Sequence, residues 1–223
     1  MAESIALNCD CMEYMKMLPD KAFDLAVVDP PYGGVTKGGY MVNNQSRNRL
    51  ARNKDYHVAL WSQCAPEQAY FDELFRVSKN QVIWGANYFQ TKILRDSQGW
   101  IVWDKENGAT KFADCELAWT SFDRATRIFR FRWQGMLQGD MANKEDRIHP
   151  TQKPVALYRW IFTNYAKPGD RILDTHLGSG SSRISAYDAG LDFVGCEIDE
   201  TYFRQQEERF AAHVAQENLF LKG

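Results

Sequence analysis

Apolar residues in this chain fall into short runs separated by longer amphipathic stretches. Ser4-Ile5-Ala6-Leu7, Phe23–Val28, Gln81–Trp84, Trp100–Trp103, Arg171–Asp174 and Phe193–Glu197 are apolar blocks cut off by Pro, Gly, Asn or Asp, the signature of buried strands. Glu116–Ser121 and Arg127–Trp133 add two more, the second interleaving apolar residues with arginines in its first part, Arg127-Ile128-Phe129-Arg130-Phe131-Arg132. Helical patterning occupies Met12–Leu18, which Pro19-Asp20 closes, and Ala65–Val77, with Pro66 in its first turn. It returns around Tyr88–Leu94, up to Tyr165, from Ser181 to about Ala189, and from Thr201 onward. Strands alternating with helices predict an α/β fold with a mostly parallel twisted sheet and helices on both faces.

One stretch breaks this rhythm. Gly33–Lys54 holds four glycines, four asparagines and little periodicity, and it carries Lys37, Arg47, Arg49, Arg52 and Lys54 with no acidic residue before Asp55. Residues 33–60 are therefore expected to be a mobile basic loop, and loops of that length inside a compact domain usually serve function. Residues 104–148 are less regular and polar toward their end.

Composition narrows the class. The chain has 223 residues, within the range of one domain, with 27 Lys+Arg against 29 Asp+Glu. A net charge of −2 excludes binding to nucleic acid by bulk charge but not by a local basic patch. Aromatic residues at 13% disfavour disorder. Five cysteines, Cys9, Cys11, Cys64, Cys115 and Cys196, with no C-x-x-C pair, argue against a disulfide framework or structural zinc and for reduced thiols. The opening MAESIALNCD lacks the basic and apolar regions of a secretory signal, and no apolar run approaches a membrane span, so the expectation is a soluble cytoplasmic protein.

Three segments carry chemistry. Asp174-Thr175-His176-Leu177-Gly178-Ser179-Gly180 follows a strand and opens a helix, where glycines allow close backbone approach to a ligand. Glu197, 17 residues after Gly180 and at the end of the next strand, suits the hydroxyls of a ribose. Arg183 replaces the third glycine of a dinucleotide fingerprint, which favours a nucleotide without a pyrophosphate. Asp29-Pro30-Pro31-Tyr32 ends a strand: Asp29 and the Pro30 carbonyl can accept hydrogen bonds from one NH₂ group, Pro31 stiffens the loop, and Tyr32 offers a face for a planar base. His149-Pro150-Thr151-Gln152-Lys153-Pro154 is the third.

These three motifs in this order resemble the amino-group DNA methyltransferases, which act on adenine N6 or cytosine N4, in the β order where the catalytic motif precedes the cofactor motif. The resemblance implies a single catalytic domain over residues 1–223 with a Rossmann-like fold and S-adenosylmethionine as methyl donor. It implies catalytic roles for Asp29, Pro30, Pro31 and Tyr32. It implies cofactor contacts from Asp10, Cys11, Asp29, His149, Thr151, Gln152, Lys153, Asp174, Thr175, His176, Leu177, Gly178, Ser179, Gly180, Glu197 and Ile198, with no metal. Thr175-His176 stands where the family has Pro-Phe. Buried structural thiols are the favoured reading of Cys11 and Cys196.

The partner implied is double-stranded DNA. The target is an exocyclic nitrogen that an intact duplex keeps out of reach, so the base must be flipped out. Lys37, Arg47, Arg49, Arg52, Lys54, Arg130 and Arg132 are the candidate phosphate contacts, and 104–148 the target-recognition segment, short enough to imply a short site or paired subunits. Asp before Pro-Pro-Tyr favours adenine-N6; cytosine-N4, an RNA or small-molecule methyltransferase, and a silent DNA-binding subunit are the alternatives. Because the cofactor strands come last, the sheet must be circularly permuted, with Ser4–Leu7 beside Phe193–Glu197 and with Asp10, Glu197, Asp174 and Asp29 along one edge.

Overall fold

The computed structural model describes residues 2–33, 64–93, 95–108, 113–134 and 137–220. The elements follow in chain order: β1 (Ser4–Leu7), α1 (Cys11–Lys16), β2 (Phe23–Val28), α2 (Gln68–Val77), β3 (Ser78–Trp84), a 3₁₀ turn (Ala86–Tyr88), α3 (Gln90–Ile93), β4 (Trp100–Asp104), β5 (Cys115–Thr120) and β6 (Arg127–Arg130). A small ribbon of β7 (Trp133–Gln134) and β8 (Leu137–Gln138) precedes α4 (Val155–Tyr165), β9 (Arg171–Asp174), α5 (Ser181–Asp188), β10 (Asp192–Cys196) and α6 (Glu200–Phe220).

Eight strands form one sheet in the order β1-β10-β9-β2-β3-β5-β4-β6. The first five run parallel to one another, β5 is antiparallel to both β3 and β4, and β6 is parallel to β4. The expected permutation is present: Ser4 pairs with Phe193 and Leu7 with Cys196, so the chain's first strand closes on its last. Strand β2 shows why the sheet is covered on both sides. Leu25 and Val27 join a core cluster with Leu157, Ile161 and Ala186 of α4 and α5, while Ala26 and Val28 join another with Met15 of α1 and Phe71 and Leu74 of α2. A period of two along a strand sends alternate side chains to opposite faces, and here both faces are apolar.

Two element boundaries differ from the sequence reading. Helix α2 begins at Gln68, and Pro66 lies before its N-cap Glu67. The expected strand Arg127–Trp133 stops at Arg130, and Trp133 pairs instead with Gln138 in the separate ribbon. The switch has a local cause: Trp133 buries its ring and donates its indole N–H to the Gln152 carbonyl at 2.8 Å, which draws the chain away from the sheet.

Candidate active site

Parallel strands deliver their carboxyl ends, and the loops that follow them, to one edge. Asp29 follows β2, Asp174 ends β9, Glu197 follows β10 and Asp10 follows β1, and these four strands are neighbours in the sheet.

At the β2 end, Asp29 and Tyr32 form a unit. The Tyr32 hydroxyl donates to Asp29 Oδ1 at 2.7 Å. The tyrosine ring stacks on Tyr88 at 5.1 Å between centroids and meets Phe89 edge-on at 6.0 Å. It also lies against Gly85, which has φ +68°, and a Cβ there would sit 2.0 Å from Tyr32 Cε1. Only glycine meets both demands without strain.

Lys153 enters this corner from the loop before α4. Its ammonium donates to Asp29 Oδ2 at 2.5 Å and lies 3.3 Å from the Tyr32 hydroxyl. It is also 3.0 Å from Glu116 Oε2 of β5, whose other oxygen pairs with Lys105 at 2.5 Å. The four charges form a continuous chain, Asp29–Lys153–Glu116–Lys105. Burial raises the Asp29 carboxyl above its ordinary range, against the pull of Lys153. Burial also disfavours the Lys153 ammonium, but Asp29 and Glu116 outweigh it and hold its pKa above the usual lysine value. Glu116 resists the same burial because Lys153 and then Lys105 bring it down to about 2.

The β9–α5 turn forms a second unit. Gly178 has φ +53° and Gly180 φ +73°. Glu197 accepts the Gly178 amide at 2.8 Å and the Asp199 amide at 2.9 Å, so its two oxygens are fixed at the mouth of this turn. Asp174 accepts the Ser182 hydroxyl at 2.5 Å and the His176 amide at 3.0 Å. Burial lifts its pKa to about 7, with those two hydrogen bonds opposing. Leu177 donates its amide to the Cys196 carbonyl and packs on Gly195. Ser179 bonds Ser181 through its hydroxyl and holds Arg209 through its carbonyl.

Asp10 caps α1 by accepting the Met12 amide at 2.7 Å, and Cys11 is the first residue of that helix. Burial pushes the Cys11 thiol up to about 12 and raises Cys196 as well, so both are protonated thiols at neutral pH. Ile198 leaves 56% of its surface open beside Glu197, an apolar face free to lie on a planar ring.

The Thr175-His176 pair is tied in from α2. The Tyr70 hydroxyl lies 2.6 Å from Thr175 Oγ1, which is 2.9 Å from His176 Nδ1, and the Tyr70 and His176 rings meet edge-on. Burial lowers His176 to about 4, so it packs here as a neutral ring. The hydrogen-bonded pair occupies the place of an apolar Pro-Phe by supplying its own polar partner.

Within the third motif the residues divide. His149 faces the glycine turn: its ring carbons and Nδ1 lie 3.6 Å from where a Gly178 Cβ would be, its ring meets Tyr202 at 4.3 Å, and Thr151 Oγ1 is 3.1 Å from its Nδ1. Gln152 turns away, its side chain accepting the Ile148 amide and donating to the Asp146 carbonyl, which closes its own loop. Lys153 reaches Asp29 and Glu116 as described. Glu116, Lys105, Tyr70 and Ser182 belong to none of the three motifs; the one signal for any of them is a glutamate heading the apolar run Leu117-Ala118-Trp119.

Of the candidate DNA contacts, Lys37, Arg47, Arg49, Arg52 and Lys54 lie outside the described residues. Arg130 is on the outer strand β6, 3.4 Å from Asp104, and Arg132 follows it, exposed, reaching the Glu106 carbonyl. Residues 104–148 supply β5 to the middle of the main sheet as well as this outer edge.

A glycine turn, a row of carboxylates and a proline-stiffened Asp-Tyr unit share one sheet edge. A sequence model of the N6_N4_Mtase family, described as DNA methylase, matches residues 23–208, and the chain belongs to that family. The type II methyltransferase M.HinfI of Haemophilus influenzae is 26% identical over 91% of this chain and 67% of its own length. The fold is shared with the M1.HpyAVI–SAM complex (18% identity, 94% of this chain and 98% of that one, TM-score 0.60). It is shared too with TTHA0409 of Thermus thermophilus, solved with S-adenosyl-L-methionine (19%, 96% of each chain, 0.59), and with the cytosine-N4-specific PvuII DNA methyltransferase (12%, 96% and 92%, 0.58). The family is S-adenosylmethionine-dependent, and the chemistry of the residues is compatible with that donor: Glu197 would face its ribose, Ile198 its purine, and Asp174 and the Gly178–Gly180 turn its methionine portion. Among the described residues no helix is long and apolar enough to cross a membrane, and no His, Cys, Asp and Glu cluster could hold a metal.

Proposed function

We propose that this chain is a site-specific, cytoplasmic DNA methyltransferase of the restriction-modification type that methylates N6 of an adenine flipped out of double-stranded DNA. The observation that carries the reading is Asp29, held by Tyr32 at 2.7 Å and half-buried at the sheet edge. An exocyclic amino nitrogen is a poor nucleophile because its lone pair is delocalised into the ring. Hydrogen bonds donated by that amino group to Asp29 and to the Pro30 carbonyl favour a tetrahedral nitrogen with a localised lone pair. As the nitrogen–carbon bond forms, the nitrogen gains positive charge, which the carboxylate stabilises in a water-poor site. Bound S-adenosylmethionine supplies a methyl group on a sulfonium, a good leaving group. The methylated nitrogen then loses one proton, and Asp29, whose pKa is raised by burial, is the adjacent acceptor. Tyr32, backed by Tyr88, offers the extruded base a face to stack on. Lys37, Arg47, Arg49, Arg52, Lys54, Arg130 and Arg132 are assigned to the phosphates, and parts of 104–148 outside β5 to the choice of sequence.

An acidic first residue in Asp29-Pro30-Pro31-Tyr32 favours adenine over cytosine. The test is transfer of labelled methyl to duplex DNA by wild type and Asp29→Ala. Label in DNA with wild type alone supports the reading; equal background from both defeats it.

A further inference from the structure

Asp29 has a difficulty that the proposed chemistry must solve. Its Oδ1 holds the Tyr32 hydroxyl and its Oδ2 holds the Lys153 ammonium at 2.5 Å. A carboxylate paired one-to-one with a buried ammonium has little net charge left for an amino group that is becoming cationic. The ammonium would also repel that cation across a few ångströms of low dielectric. Glu116 changes this balance. It lies 3.0 Å from the same ammonium, on β5, where the strand's pairing with β3 and β4 fixes its backbone. Lys105, 2.5 Å from the far oxygen, holds the Glu116 carboxylate in place. The Lys153 ammonium thus has two carboxylate partners, and it is confined between them by the faces of Trp84 and Tyr32, at 5.4 and 5.8 Å.

We propose that Glu116, oriented by Lys105, is a positioning residue that draws the Lys153 ammonium off Asp29 when the target amino group arrives. The ammonium needs to move only from one carboxylate to the next, without leaving its buried slot. Its charge is then matched by Glu116, and the charge of Asp29 is available to the reacting nitrogen. No proton need cross between Lys153 and either acid. The inference rests on Asp29 being the amino-group acceptor.

Glu116→Gln keeps the shape and removes the competing charge, so Lys153 pairs with Asp29 alone. The single-turnover methyl-transfer rate is expected to fall about tenfold or more, with the S-adenosylmethionine affinity unchanged because Glu116 lies outside the cofactor turn. Lys153→Met removes the cation that Glu116 controls, so the loss caused by Glu116→Gln should not recur in that background, the double variant being no slower than Lys153→Met alone. Losses that multiply in the double variant, or a Glu116→Gln rate close to wild type, overturn the proposal. A second readout needs no activity. Carbon-13 NMR of the Asp29 carboxyl in the cofactor-free protein should show its titration midpoint lower in Glu116→Gln, because the neighbouring negative charge is gone and the ammonium is undivided. An unmoved midpoint overturns the coupling even if the Lys153 variants fail to fold. If the midpoint shifts as expected but Asp29→Asn still transfers methyl at the wild-type rate, the coupling stands and the catalytic reading of Asp29 is what fails.

Discussion

Replacing Lys153 by Met should destabilise the protein by an amount that depends on pH. The lysine side chain is 4% exposed and pairs with both Asp29 and Glu116. Methionine fills much of the same volume but leaves two carboxylates facing each other without a cation between them. Glu116 gauges the size of the effect. Its pKa stands at about 2 against an ordinary 4.5, a linkage worth about 3 kcal/mol, of which Lys153 supplies more than Lys105. Breaking a buried ion pair by removing one partner costs about 3–5 kcal/mol in general, in line with that figure. The sign follows from the direction of each shift. In the wild type the depressed Glu116 adds stability that is complete above its unfolded pKa and is lost as pH falls toward about 2. In the variant, Asp29 and Glu116 both rise above their unfolded values, so the variant loses stability as pH increases through those raised values. Both trends close the gap in acid. Urea unfolding of the two proteins should show a difference of about 3 kcal/mol near pH 7 and a smaller one near pH 4, with most of the closure coming as pH falls further toward about 2. An equal difference at both pH values, or one below about 1 kcal/mol at neutrality, would refute the charge-chain account.

That pairing marks where sequence reasoning stops. The strands around the site are legible because each is a short apolar run ending in a polar or proline residue, as at Val28-Asp29-Pro30 and Leu173-Asp174. Their circular order follows from motif order, and the Ser4–Phe193 register bears it out. The motif places Lys153 beside the cofactor, yet its ammonium sits on Asp29, 124 positions away along the chain. Nothing local encodes a contact between residues so far apart; it depends on which sheet edge each loop reaches. Tyr70 is hidden for the same reason, reading as one more apolar position of α2 until its hydroxyl meets Thr175. The end of β6 is not legible because alternation continues through Phe131, and only the burial of Trp133 against the Gln152 loop breaks it.

Gly85→Ala should place a Cβ 2.0 Å from Tyr32 Cε1 in a left-handed conformation, costing about 1–2 kcal/mol in backbone strain alone. Displacing that ring should also weaken productive DNA binding by about 5- to 150-fold, the worth of one base stack, read as KM for DNA. Asp174, with its pKa lifted to about 7 by burial, gains negative charge as pH rises through neutrality, so calorimetric affinity for the sulfonium donor should increase over that interval and be flat in Asp174→Asn. Tyr70→Phe removes one of the two partners of the buried Thr175 hydroxyl, leaving it His176, and should cost about 1 kcal/mol in urea unfolding, with a weakened donor affinity if His176 tilts.

If Asp29 directs a methyl group onto an adenine amino nitrogen, the modified base itself records it. Duplex DNA incubated with the protein and S-adenosylmethionine is digested to nucleosides and the modified base is identified by mass and retention. N6-methyldeoxyadenosine is expected with wild type and none with Asp29→Ala. N4-methyldeoxycytidine, or a methylated base that persists in the Asp29 variant, would contradict it.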